Sequence, residues 1–173
     1  MYLGVSTDTG CFRYSNVTSR TLRIAADLLD LGADCARINR EVFETKSRSF
    51  AVLERMALNN VRTDFDGKYA FTLVTQAMFR ESGAAEDEFD KIAAIPRQIE
   101  GVLVGAAMRE QRNGTYKVSV RTNPPMNAAE ICKHMHGGGH PAAAGCTLEG
   151  TLEENLQTLR RFVEQALRET GQL

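Results

Sequence analysis

Apolar residues Leu22, Ala25, Ala26, Leu28 and Leu29 recur at helical spacing between Thr21 and Leu31, and Gly32 supplies a stop. Two further helical stretches follow, about Cys35 to Phe43 and about Ser49 to Leu58. Ahead of them, Tyr2-Leu3-Gly4-Val5-Ser6 reads as a short buried strand running into Thr7-Asp8-Thr9-Gly10. Past Asn59-Asn60 the pattern turns to β. Val61 to Phe65 and Lys68 to Thr75 flank Asp66-Gly67, a two-residue hairpin signal because glycine accepts φ > 0. A helical segment about Ala85 to Ile99 is interrupted at Pro96. Val102 to Arg109 and Thr115 to Arg121 form a second hairpin across Asn113-Gly114. On its return strand Tyr116, Val118 and Val120 share one face, and Lys117, Ser119 and Arg121 share the other. Asn127 with Glu130, and Thr151 with Glu154, have the spacing of capping boxes. The second opens a final helix whose Leu152, Leu156, Leu159, Val163 and Leu167 make a core stripe.

These elements predict an α/β chain with a mixed β-sheet and flanking helices. Residues 1–58 form a strand-plus-helices segment, and residues 59–173 a complete domain. At 173 residues the chain buries roughly 70% of its extended surface and needs no disulfide or metal staple. The 21 Lys+Arg against 22 Asp+Glu argue against a broad basic face for long duplex nucleic acid. No apolar run approaches a membrane span, and the first residues lack a signal peptide's basic start. Cys11, Cys35, Cys132 and Cys146 form no C-x-x-C pair and read as reduced thiols of a cytoplasmic protein.

The candidate chemistry is concentrated in His136-Gly137-Gly138-Gly139-His140-Pro141-Ala142-Ala143-Ala144-Gly145. Three residues without Cβ let backbone amides approach a ligand closely. Pro141 and the alanines read as the first turn of a helix, which would present free N–H groups to phosphate beside His140. The alternative is a glycine-rich turn. Cys132, His134, His136 and His140 are a second possibility, as zinc ligands, although their spacing is poor for a tetrahedral site. Arg121 could fork onto a phosphate or be an ordinary strand end. Asp8, just past the first strand, is a ligand or metal site or else an Asx-turn aspartate.

Three stretches in this order, Leu3 through Asn16, Val118 through Asn123, and Gly137 through Gly145, resemble the DHH phosphoesterase family with its DHH-associated C-terminal domain. The similarity is to the branch of short-oligoribonucleotide hydrolases that are also 3′-phosphoadenosine 5′-phosphate (pAp) phosphatases. It implies a two-metal enzyme, usually with manganese, in which metals activate a water that attacks phosphorus. By the same resemblance Asp8 is a catalytic metal ligand. Arg121, Asn123, the Gly137, Gly138 and Gly139 backbone and His140 bind substrate. Two departures stand out. All three histidines lie between 134 and 140, so Asp-His-His is absent, and no D-x-D precedes Asp8. The family also usually has a fourth glycine where this chain has His136.

The resemblance therefore implies the last third of a metal domain followed by a whole substrate domain, with short single-stranded RNA or pAp as ligand. Two manganese ions belong to a complete enzyme of this family rather than to this chain alone. A homodimer through the exposed face of residues 1–58 is a further expectation. The alternatives are a non-catalytic nucleotide- or RNA-end-binding module and a portion of a cyclic-dinucleotide phosphodiesterase.

Overall fold

The computed structural model describes residues 1–173, which divide into two compact units, Met1–Ser47 and Arg48–Leu173. The first is helical: α1 (Tyr2–Asp8), α2 (Ser19–Asp30) and α3 (Cys35–Asn39), the last continuing into a π-turn over Arg40–Glu44. The strand expected at Tyr2–Ser6 is instead α1. A five-residue apolar run does not distinguish strand from helix, and burial here falls on Tyr2 and Ser6, one helical turn apart. Their partner is Asn39, which accepts from Ser6 Oγ at 2.7 Å and donates to Tyr2 Oη at 3.1 Å. Helix α2 starts at a reciprocal Thr18/Thr21 capping box and leaves Leu22, Ile24 and Leu29 exposed.

The second unit is built on a six-stranded sheet of β1 (Arg62–Asp64), β2 (Tyr69–Val74), β3 (Val104–Glu110), β4 (Tyr116–Thr122), β5 (Gly138–His140) and β6 (Ala143–Leu148), in the order β1-β2-β3-β4-β6-β5. Only the β2–β3 pair is parallel. Both expected hairpins form. At the first, Phe65, Asp66 and Gly67 all have positive φ, and the Lys68 N–H donates to the Phe65 carbonyl at 3.0 Å.

Alternation along the strands sends two apolar sets to opposite faces. On one face Val104, Ala106, Met108, Val118, Val120 and Cys146 pack against α7 (Ala128–Lys133) and α8 (Leu152–Glu169). Leu159, Val163 and Leu167 of α8 are fully buried there, each contributing about 1.5–3 kcal/mol of transfer free energy. The Thr151/Glu154 capping box that starts α8 is reciprocal. At α7 only half of the expected box forms: Asn127 caps the amides of Ala129 and Glu130.

On the other face Val74 and Ala107 meet α4 (Arg48–Asn59), α5 (Gln76–Ser82) and α6 (Phe89–Ile92). Helix α4 contributes Phe50, Leu53 and Ala57 to this core, so it belongs to the second unit, although a change of composition follows it at Asn59-Asn60. Helix α5 is an addition to the elements expected from sequence, capped by Thr75 and stopped by Gly83 at φ +70°. The segment expected as one helix around 85–99 is broken into a 3₁₀ turn, α6 and a second 3₁₀ turn opening at Pro96.

Gly138–His140 is a strand, Pro141-Ala142 is the turn, and Ala143–Leu148 returns as β6. The alanine run was expected to begin a helix. Its small side chains instead lie in the sheet beside β4, with Ala144 opposite Val120, and tertiary packing overrides helix propensity.

Candidate functional site

Helices α4 to α6 cover the sheet over β2 and β3. Beyond β3 the same face passes onto residues that are small. Ser119 of β4 stands opposite Gly145 of β6, which stands opposite Gly138 of β5. The next row is Arg121, Ala143, His140 across the same three strands. Directly opposed residues share a face, so Arg121 and His140 flank Ala143 over a floor of glycine, alanine and serine. At ~4.8 Å per strand their Cα atoms are about 10 Å apart. Arg121 is half-buried and its Nη1 donates to the Val120 carbonyl at 3.1 Å, while His140 is exposed.

The three glycines serve different ends. A Cβ on Gly137 would lie 2.3 Å from the Gly145 carbonyl oxygen and 2.6 Å from Cys146 Cβ. One on Gly139 would meet the Ala143 oxygen and Ala144 Cα at 2.6 Å, and its φ is +147°. Gly138 has open space around its Cβ position. Bare backbone is therefore required at 137 and 139 for β5 to lie against β6. Strand β5 is the sheet's last, so its outward amides have no strand partner. The turn after it is fastened by the Pro141 carbonyl, which accepts from Ala128 N and Thr122 Oγ1, both at 2.7 Å. No helix starts at Pro141, so the helix N-terminus expected beside His140 is not formed.

His136, where the resemblance expects glycine, has φ +56°, a left-handed conformation that histidine tolerates better than most side chains. The zinc alternative is dispersed. Cys132 is buried, His134 stacks on Phe162 with ring centroids 5.0 Å apart, and His136 and His140 are exposed. The Cys132 thiol is pushed upward by its hydrogen bond to Cys146 and by burial, which keeps it protonated.

Asn123 does not face the floor as a free donor. Its Nδ2 donates to the Val102 carbonyl at 2.8 Å and the Arg97 carbonyl at 3.4 Å, and its Oδ1 accepts from Arg97 Nη1 at 3.2 Å. Arg97 was invisible in the sequence pattern, since an arginine after Pro96 carries no periodic or motif signal. Asp8, expected past a strand end, is instead an exposed residue of α1. No group of three or more His, Cys, Asp or Glu side chains converges in the chain as a metal site. One exposed carboxylate does not fit a two-metal centre.

Residues 66–169 match the DHHA1 domain model, which covers strands β2 to β6, the glycine strand among them, and α8. The chain belongs to the DHHA1 domain family. As a DHHA1 protein it is 34% identical over 171 residues to the bifunctional oligoribonuclease and PAP phosphatase NrnA of Thermus thermophilus, covering 98% of this chain and 51% of that protein. With the NrnA of Bacillus subtilis it shares 24% identity over 148 residues, 86% of this chain and 46% of that one. An exopolyphosphatase-related protein from Bacteroides fragilis superposes with a TM-score of 0.85 at 27% identity, over 92% of this chain and 47% of that chain. The chain spans about half the length of the curated relatives it matches. No helix is long and apolar enough to cross a membrane.

Proposed function

We propose that this DHHA1 chain is the substrate-holding part of a phosphodiesterase acting on short oligoribonucleotides and pAp. The observation that carries the reading is the row Arg121–Ala143–His140 over a floor without bulky side chains. The similarity to NrnA proteins supports the choice of ligand. The Arg121 guanidinium forks onto phosphate oxygens, and the His140 imidazole donates a further hydrogen bond. Gly138, Gly145 and Ala143 leave room for a sugar or base to lie flat between them. The outward amides of β5 hold a second edge of the ligand without adding side-chain bulk. A short substrate held at its end needs a pocket rather than a long basic track, which agrees with a net charge of −1.

Because these residues assemble no metal-ligand cluster, the role assigned to this polypeptide by itself is binding and orientation. Isothermal titration with pAp and with dinucleotides tests the reading. Arg121→Ala and His140→Ala should each weaken pAp by about 10- to 100-fold, the effect of losing one or two charge-assisted hydrogen bonds. Absence of binding by the wild-type chain at millimolar pAp would overturn it. Manganese-dependent turnover by this chain alone would overturn the restriction to binding.

A further inference from the structure

The row of ligand-facing groups continues past Arg121 to a residue from outside the sheet. Gly105 of β3 stands opposite Arg121 and on the same face. Its missing Cβ is replaced by the main chain of Arg97: a Cβ there would lie 2.4 Å from Arg97 N and 2.8 Å from Arg97 Cα. Arg97 therefore sits on the sheet one strand-spacing from Arg121, on the side away from His140. Its side chain is held by Asn123, which grips the guanidinium at Nη1 and the Arg97 carbonyl from the same amide. Asn123 is itself tied to β3's approach by the hydrogen bonds from its Nδ2 to the Val102 carbonyl and from its N–H to the Leu103 carbonyl.

The guanidinium so fixed has no carboxylate partner. Its one side-chain hydrogen bond is to a neutral amide oxygen, and its Nε is shut away from solvent with no acceptor. A cation held this way costs stability and returns none through an ion pair. The Arg97 main chain lies one strand-spacing from Arg121, within the span of a ligand that carries two phosphoryl groups. We propose that Arg97 binds a second phosphoryl group of the ligand, which makes the site selective for nucleotides carrying two phosphates over those carrying one. This rests on the reading of Arg121 and His140 as the first phosphate site. A guanidinium suits the task because its planar fork takes two phosphate oxygens at once. Asn123 is then the positioning residue for Arg97 rather than a direct contact.

The test is titration of the full chain with pAp, 5′-AMP, 3′-AMP and a 5′-phosphorylated diadenylate. Wild type should bind pAp at least tenfold more tightly than the tighter of the two monophosphates, and Arg97→Ala should collapse that ratio towards one while leaving that monophosphate within about twofold. Arg97→Gln retains a hydrogen-bond donor towards Asn123 and removes the charge, so it should lose the same selectivity with the melting temperature unchanged or raised. Arg97→Lys should recover part of it. If the 5′-phosphorylated dinucleotide loses affinity alongside pAp, the second phosphate can come from an RNA end as well as from a bisphosphate. If only pAp does, the bisphosphate is the source. Equal losses for pAp and both monophosphates, or none for pAp, would overturn the role of Arg97 while leaving the Arg121–His140 site standing. Failure of the wild type to bind any of the four would overturn both.

Discussion

Gly139→Ala isolates the role of bare backbone in the site. The added methyl would stand 2.6 Å from the Ala143 carbonyl oxygen and Ala144 Cα, and 2.9 Å from Ala144 Cβ. Two of these atoms are backbone or Cα of the paired strand, so no flexible side chain can swing away. Overpacking of this kind costs about 1–3 kcal/mol. The φ of +147° adds about 1–3 kcal/mol for any residue with a Cβ. Against this stand only the hydrogen bonds of a three-residue pairing, each about 1 kcal/mol net. The balance favours detachment of β5 from β6, which removes His140 from the row with Arg121. The expected outcome is at least a tenfold loss of pAp affinity by titration calorimetry. The melting temperature should fall by no more than a few degrees, because all three β5 residues are exposed and contribute nothing to either core. Gly138→Ala is the internal control, with nothing within 4 Å of its new methyl, and should bind as wild type. Wild-type affinity in Gly139→Ala, or an equal loss in Gly138→Ala, would refute the reasoning.

Two further expectations concern the frame that carries the site. Leu159→Ala removes a fully buried side chain between α8 and the sheet and should lower unfolding free energy by about 2–5 kcal/mol in urea titrations; a change under 1 kcal/mol would contradict the assigned core. The Asp64 carboxyl is held below its ordinary range by the hydrogen bond from Arg160 Nε at 2.6 Å, so its contribution is present above the unfolded carboxyl's pKa and lost as pH falls through the folded value. Melting temperatures of wild type and Asp64→Asn should therefore converge below about pH 4, and parallel curves across that range would exclude the pairing as a source of acid sensitivity.

Much of the frame was legible because its signals are local. Asp66-Gly67 and Asn113-Gly114 mark hairpins whose turns need positive φ, and the Thr151/Glu154 box and leucine stripe delimit α8. Errors arose where a local pattern had two physical solutions. Tyr2–Ser6 was too short to separate strand from helix. Pro141-Ala-Ala-Ala looks helical until its neighbours in space, Val120 and Arg121, are known. Helix α5 was missed because Gln76–Ser82 is one short segment against a core supplied from elsewhere, Phe79 and Met78 being its only buried residues. Arg121 and His140 come from separate motifs, and the structure sets them in one row with Gly138 in the next. The hydrogen bonds of the Asn123 amide to Arg97 and Val102 carry no signal in the sequence. Arg97 reaches the row only because Gly105 leaves space for its backbone, a contact eight residues away that no periodicity encodes.

The position of β5 at the margin of the sheet has a consequence for how the protein responds to its ligand. Amide exchange should be slow in the inner strands β2, β3, β4 and β6, which are paired on both sides, and faster in the marginal strands β1 and β5, which are paired on one. The proposed recognition surface thus straddles a gradient of local opening, with Arg121 on an inner strand and His140 on a marginal one. A ligand that bridges the two transfers order from the interior to the rim. Its arrival should be read first as slowed exchange in Gly138–His140, well before any change in the global melt.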